Sequence, residues 1–399
     1  QSLVYDNEPA QLQKETVERI YPKEVKTSIS RLENYYRCSY QHFAQYTLGL
    51  KERRTYKLDA PDIGQLFHEA LKIITEWIQK EGRDYQELTK KDTAQYAKRA
   101  VSNLAPILQN QILHSSKRYE YIQKKLEEVI ARATYVLSEQ ARMTQFSPIG
   151  LELSFGMEET LEPVRMSLSN GYELILRGRI DRVDRSKIND QLYLRIIDYK
   201  SSEKDLNLVE VYYGLALQML MYLDVVLKQS EHWLGLEATP AGVLYFHVHN
   251  PIVSGEGMLD DERLEHEIFK KYKMNGLLLA EEAVVEQMDT TLDAGVTSQM
   301  IPAGIKKDGH FNARSKIASV ETFTQLQNHI QHLIKDAGVD ITSGGVHLDP
   351  FQYKQQTACD FCEFKSVCQF DPTLETNTYH KLREYKEKQI IEMIQEEGE

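Results

Sequence analysis

Four cysteines are the whole thiol inventory of this 399-residue chain. Cys359, Cys362 and Cys368 crowd near the C-terminus with C-x2-C-x5-C spacing, and Cys38 stands far upstream in N-Y-Y-R-C-S-Y. Four thiolates are what a tetrahedral zinc site or a [4Fe–4S] cluster requires. Spacing alone does not choose between the two metals. If all four hold one centre, the two ends of a domain are tied together. Disulfides are disfavoured because no apolar secretory segment opens the chain, so it reads as a cytoplasmic protein whose thiols stay reduced.

Between the cysteines lies a second group of residues suited to chemistry. A run of apolar residues ends I-I-D-Y-K, and residues two apart on a strand share a face, so Asp198 and Lys200 point the same way. The carboxylate can hold a divalent cation, and the ammonium can neutralise developing charge or orient a water. The segment G-R-I-D-R-V-D just upstream carries Asp181, and a short connection predicts a hairpin that sets Asp181 beside Asp198. Two carboxylates converging there favour a hard cation such as Mg²⁺. Asp184, at odd spacing from Asp181, falls on the opposite face. His68 sits on a helix opening G-Q-L-F-H-E-A-L, and Gln218 and Tyr222 are four apart on another helix, sharing one side of it. Taken singly, His68 reads as a helix-surface or core histidine and the Gln–Tyr pair as ordinary amphipathic residues. Glu152, in L-E-L-S-F, is either a further carboxylate of the group or an exposed strand residue.

The elements that must position these residues follow from periodicity. Residues 1–26 are polar and read as a connector. Ser30 and Glu33 form an S-x-x-E capping box that predicts a helix carrying Cys38. A loop covers 51–62, and Phe67, Leu71, Ile74 and Ile78 mark the buried side of a helix over 64–80. Longer helices are predicted over 92–113 and 117–144. The pattern then turns to strands at 149–155, 172–185 and 191–200, with a turn signal at Asn189–Asp190. A helix over 208–229, a strand over 241–249, a helical stretch over 260–300, a basic loop over 302–316, a helix over 321–337 and a charged terminal helix over 378–397 complete the reading. The terminal helix reads as solvated. A helical lobe followed by a mixed sheet flanked by helices is an α/β or α+β arrangement.

Composition excludes several classes. The chain is 41% hydrophobic and 27% charged, the profile of a soluble globular protein, and no apolar run is long enough to span a bilayer. A net charge of −12 does not advertise nucleic-acid binding, although binding depends on where the positive charges sit. Local basic clusters occur at 51–57, 177–185 and 305–307, each of which also fits a plain solvated face. The glycines of G-I-K-K-D-G at 304–309 have phosphate-loop spacing, but His310 stands where the lysine should be, so ATP hydrolysis is not expected. Gln1, not Met, opens the chain, which reads as a piece of a longer protein.

The ordered set G-x3-H at 64–68, G-x2-D at 178–181, D-Y-K at 198–200 and Q-x3-Y at 218–222 resembles the RecB-type branch of the PD-(D/E)xK nucleases. A cysteine before the core and C-x2-C-x5-C after it resemble the iron–sulfur staple of the AddB-type nucleases and of CRISPR-associated RecB-like exonucleases. The tail over 351–371 and the loop over 301–315 look very like the AddB type. This resemblance covers about residues 28–372. It implies a PD-(D/E)xK (restriction-endonuclease-like) α/β core with a helical N-terminal lobe. His68, Asp181 and Asp198 would ligate Mg²⁺ with the Tyr199 carbonyl, and Lys200 would activate the attacking water. Gln218 and Tyr222 would contact the DNA strand or brace the site, and Cys38, Cys359, Cys362 and Cys368 would hold a [4Fe–4S] cluster. The implied layout is a connector (1–27), a helical lobe (28–148), a nuclease core (149–340), a cysteine-rich segment (341–372) and a C-terminal helix (373–399). The implied setting is recombinational repair of double-strand breaks: a DNA exonuclease expected to cut the 5′-terminated strand, beside an AddA-type motor subunit. The alternative is a catalytically silent module that guides DNA or docks a partner, stabilised by its metal centre.

Overall fold

The computed structural model describes residues 7–53, 56–108, 111–157, 161–253 and 260–398. Its centre is a six-stranded mixed sheet of β1 (Ser147–Phe155), β2 (Gly178–Ile188), β3 (Gln191–Lys200), β4 (Ala238–His247), β5 (Asn275–Leu279) and β6 (Ile317–Ala318), in that spatial order. The pairs β1–β2, β2–β3 and β4–β5 are antiparallel, and β3–β4 and β5–β6 are parallel. Strand β3 is buried at every position but its ends, and apolar and aromatic residues fill it around the two buried charges Arg195 and Asp198. The β2–β3 turn places Asn189 and Asp190 at φ of 48° and 67°, the left-handed pair that a tight hairpin demands and that these residue types tolerate.

The helices that matter for the site are α1 (Ile29–Arg37), α2 (Ala60–Lys80), α3 (Lys90–Leu104), α4 (Lys117–Arg142), α5 (Gln218–Lys228), α6 (Val320–Thr342) and α7 (Glu387–Gly398). Helices α2, α3 and α4 pack together, while α1 packs against α5 and α6. Helix α2 opens with Asp59 and Asp62 in a reciprocal capping box and Pro61 in its first turn, a strong start signal. Phe67, Leu71, Ile74 and Ile78 are all buried, as their spacing predicts. Helix α5 lies across β3 and β4, and α6 packs over α5 and α1.

Several elements differ from the sequence reading. Residues 7–27 contain a helix (Lys14–Ile20) and a strand (Glu24–Thr27), and that strand pairs with Glu173–Leu176 in a separate three-stranded sheet. The single strand expected over 172–185 is therefore two strands in two sheets, divided at Arg177. The helical stretch expected over 260–300 contains β5, whose apolar N-G-L-L-L is too short for periodicity to separate strand from helix. The terminal helix begins at Glu387, and it is not solvated all round: Ile390 and Ile394 are buried where α7 meets α6. The S-x-x-E box is not a cap of its own helix. Ser28 is the N-cap residue of α1, and Glu33 points to another helix. Of the basic cluster at 51–57, Arg54 and Thr55 lie outside the described residues. The cluster at 177–185 is no uniform basic face, because Arg182 is buried. Among the described residues no helix is long and apolar enough to cross a membrane.

Candidate active site

Three carboxylates line up across three neighbouring strands. The β2–β3 register, with Arg182 opposite Ile197, sets Asp181 against Asp198. The β1–β2 register, with Leu151 opposite Arg182 and Leu153 opposite Ile180, sets Glu152 against Asp181 on its other side. Asp181 Oδ2 accepts the Tyr199 backbone N–H at 2.9 Å and lies 2.9 Å from His68 Nδ1, so α2 delivers its imidazole directly to the row. Lys200 Nζ reaches Asp198 Oδ2 at 2.5 Å. The expected members His68, Asp181, Asp198 and Lys200 are thus brought together.

Glu152 is the member the sequence left undecided. It is buried, and its backbone sits at φ 47° in the middle of a strand, a left-handed conformation costly for a non-glycine residue. Such strain concentrates at functional positions. His68, Glu152 and Asp181 each offer a ligand atom, and these atoms lie within 4.8 Å of one another. Glu152 Oε2 is 2.6 Å from Arg179 Nε, yet neither this contact nor that of Asp198 Oδ2 with Lys200 has hydrogen-bond geometry. Both oxygens are therefore buried with a neighbouring cation but no aligned hydrogen-bond donor. Unsatisfied carboxylate oxygens beside an imidazole are a donor set that fits a hard divalent cation.

Electrostatics report the same crowding. Burial and then the Asp181 charge push Asp198 up to about 6. Burial and Asp181 push Glu152 up to about 7. For His68, burial works against the imidazolium, but the hydrogen bond and charge of Asp181 outweigh it and raise the group. Burial likewise opposes the Lys200 ammonium, and Asp198 more than compensates. Opposed shifts of this kind mark sites where negative charge is held ready for a cation.

Helix α5 closes the site from above. The Tyr222 hydroxyl is pushed up by burial and then by Asp198 and Asp181, with the neighbouring Gln218 side chain acting the other way. Its ring meets Phe155 edge-on at 5.7 Å between centroids. Gly178 explains its own motif: a Cβ there would fall 2.6 Å from Phe155 Cε1 and 3.2 Å from Tyr222 Cε1. Gly64, opening G-x3-H, faces Ser201 just past β3, but a Cβ there would stand 3.4 Å from Ser201 Oγ, an ordinary contact, so packing does not require this glycine. On the opposite face Asp184 takes no part. It is fully buried between Arg182 (2.6 and 3.0 Å) and Arg195 (2.8 and 3.0 Å), a structural triad beneath the site.

The four cysteines gather at one place. Cys38, at the C-terminal end of α1, lines a cavity of about 110 Å³ with Cys359, Cys362 and Cys368. The chain just past Cys38 is tied to the tail by Ser39 N–H donating to Asp349 and Tyr40 N–H to the His347 carbonyl. The Phe364 N–H points at Cys362 Sγ at 3.4 Å. Burial pushes the Cys38 thiol up to about 12 and raises Cys359 and Cys362 as well. Neutral buried thiols become stable thiolates when a metal binds them, and an N–H aimed at a sulfur supports that form. The set fits a four-thiolate centre.

The sequence profile of the PD-(D/E)XK nuclease superfamily matches residues 26–369. The chain belongs to the PD-(D/E)XK nuclease superfamily. Named relatives are similar over its whole length: it is 62% identical over 400 residues to the B subunit of the ATP-dependent helicase/deoxyribonuclease of Oceanobacillus iheyensis, covering 100% of this chain and 34% of that protein. The corresponding B subunits of Bacillus subtilis and Listeria innocua are 46% identical over 398 residues and 45% over 397, each again covering 100% of this chain and 34% of the relative. The chain therefore spans about a third of the length of these curated relatives. In a nuclease domain, aligned carboxylates beside a lysine are the candidate place for phosphodiester hydrolysis. Sequence reasoning left Glu152 open. Alternation with Leu151 and Leu153 put Glu152 on the face away from the leucines and fitted an exposed residue, and a single glutamate in a strand does not declare its partner.

Proposed function

We propose that this chain is the Mg²⁺-dependent DNA nuclease domain of a helicase–nuclease that processes double-strand breaks in recombinational repair, cutting the 5′-terminated strand exonucleolytically. The observation that carries it is the row Glu152–Asp181–Asp198 on three adjacent strands, met by His68 and Lys200. The relatives' description as helicase/deoxyribonuclease B subunits supports a DNA substrate and an AddA-type partner.

In this reading His68, Glu152, Asp181 and Asp198, with the Tyr199 carbonyl, hold the cation. A bound Mg²⁺ supplies charge neutralisation at the scissile phosphate and acidifies a water. Lys200, held by Asp198 at 2.5 Å, orients that water and offsets the charge developing on the phosphoryl oxygens. Gln218 and Tyr222 brace the strand or the carboxylates from α5. Cys38, Cys359, Cys362 and Cys368 hold a [4Fe–4S] cluster that acts as a structural staple. The four cysteines share one cavity, which supports a common metal centre, and the likeness of their C-x2-C-x5-C pattern to the AddB-type staple favours the iron–sulfur cluster over zinc.

The test is degradation, with Mg²⁺ and ATP, of duplex DNA labelled separately on each strand, by the full-length protein in its native complex at known iron content, beside Lys200→Ala. Loss of one strand's cleavage in the variant is expected. Equal cleavage by parent and variant would show that this site does not cut.

A further inference from the structure

Glu33 was expected to cap its own helix, and it does something else. It lies in the middle of α1, partly buried, and its Oε1 accepts the backbone N–H of Leu217 at 2.8 Å and of Gln218 at 3.0 Å. These are the first N–H groups of α5, which no intrahelical carbonyl can satisfy. Helix α5 has no side-chain cap of its own, since Leu217 occupies the N-cap position. A carboxylate from a distant part of the chain therefore does the work that a local Ser or Asp does elsewhere, and its negative charge suits the positive end of the helix.

The rest of α1 is seated to make that contact accurate. The Tyr36 ring covers Gly214 so closely that a Cβ there would be 2.4 Å from it, and Gly214 sits at φ +77° in the turn leading into α5. Tyr36 donates to the Leu333 carbonyl at 2.6 Å and Tyr35 to Asp340 at 2.8 Å, which lock α1 against α6. At its end α1 runs directly into Cys38. Beyond the cap, Gln218 is the first residue of α5 and Tyr222 stands one turn later.

We propose that Glu33 is a positioning residue of the nuclease site, holding Gln218 and Tyr222 in place from the helix that ends in Cys38. The proposal rests on the active-site reading above. Glu33 touches neither the carboxylate row nor Lys200 by hydrogen bond. It acts by fixing the first turn of α5, so the cysteine centre and the nuclease site are joined through one short helix. Removing the carboxylate orphans two N–H groups, lets the first turn fray, and moves Gln218 and Tyr222 off the site. A displacement of about 1 Å is enough for roughly a hundredfold loss of rate.

The experiment uses the full-length protein in its native complex and reads the single-turnover cleavage that disappears in Lys200→Ala. Glu33→Ala is expected to slow it about a hundredfold, and Glu33→Gln, which keeps a neutral acceptor, only about tenfold. DNA affinity, dominated by phosphate contacts, stays near that of the parent. In a Gln218→Ala, Tyr222→Phe background, Glu33→Gln should cost nothing further, an outcome a merely structural role does not give. Amide exchange over 217–222 should quicken in Glu33→Gln while exchange in β3 is unchanged, a readout independent of cleavage and available even if Glu33→Ala does not fold. Additive losses in the combined variant, or parental exchange over 217–222, overturn the proposal. If parent and Lys200→Ala cut alike, the active-site reading fails, and amide exchange alone decides whether Glu33 positions α5.

Discussion

Gly178 offers the sharpest check on how the site is assembled. Its φ is not in the left-handed region, so alanine meets no backbone penalty and the whole effect of Gly178→Ala is steric. The new Cβ would lie 2.6 and 2.7 Å from Phe155 Cε1 and Cζ and 3.2 Å from Tyr222 Cε1. Carbon atoms in contact prefer about 3.5–4.0 Å, so the Phe155 ring must retreat by roughly 1 Å. Phe155 is 0% exposed and Tyr222 only 8%, so neither can swing into solvent. Overpacking of this kind costs about 1–3 kcal/mol, read as a shift in the urea midpoint at unchanged slope. Because Tyr222 borders Asp181 and Asp198, nuclease rate should fall about tenfold to a hundredfold, beyond any loss of folded protein. Adding Phe155→Leu, which deletes the two clashing carbons, should recover part of both losses even though that change alone leaves a cavity. If Gly178→Ala keeps parental stability and rate, the argument that this motif glycine exists to admit Phe155 and Tyr222 is wrong.

Other perturbations separate the site from its supports. Asp184→Asn leaves two buried guanidiniums facing a neutral amide and should cost about 3–5 kcal/mol in urea unfolding. Burial opposes ionisation of Asp184, but the two arginines hold it below the usual carboxylate range, so its contribution is present above the unfolded value and is lost as pH falls through the lower folded one, giving acid lability that Asp184→Asn lacks. Glu152 behaves oppositely. Its folded value is raised to about 7, so stability is complete below the unfolded carboxylate range and is lost as pH rises through 7, and in cation-free protein Glu152→Gln should be more stable than the parent at pH 8 by up to ~2–3 kcal/mol, with no difference near pH 4. The same variant should lose most of the stabilisation that Mg²⁺ confers in thermal unfolding, and an undiminished Mg²⁺ effect would remove Glu152 from the cation site. Cys362→Ala should lower iron content, thermal stability and DNA binding together, whereas full stability without iron would deny the centre its structural role.

The helical lobe, the β2–β3 hairpin and the order of the chemically active residues could be read from the chain because each rests on neighbours close in sequence. Asp198 and Lys200 share a face through the two-residue period of a strand. Asn189–Asp190 announces a tight turn through its tolerance of left-handed backbone. Phe67, Leu71, Ile74 and Ile78 mark one side of α2 through the helical period. Strand β5 escaped because five apolar residues suit either element, and the terminal helix was read as solvated because burial of Ile390 and Ile394 depends on a partner helix far away in sequence.

What the chain determined by itself was a set of residue types, a local geometry and an order: four thiols, paired carboxylates with a lysine, a histidine, and a glutamine–tyrosine pair. Tertiary structure decided which of them meet. It brought Glu152 into line with Asp181 and Asp198, placed Asp184 between two arginines on the other face, gathered Cys38 with the C-terminal cysteines, and turned Glu33 from its own helix to the start of α5. The physical reason is range. Backbone periodicity and turn preference act over a few residues and leave a signature in the sequence, whereas the partner of a buried charge is chosen by packing between elements that can lie hundreds of residues apart.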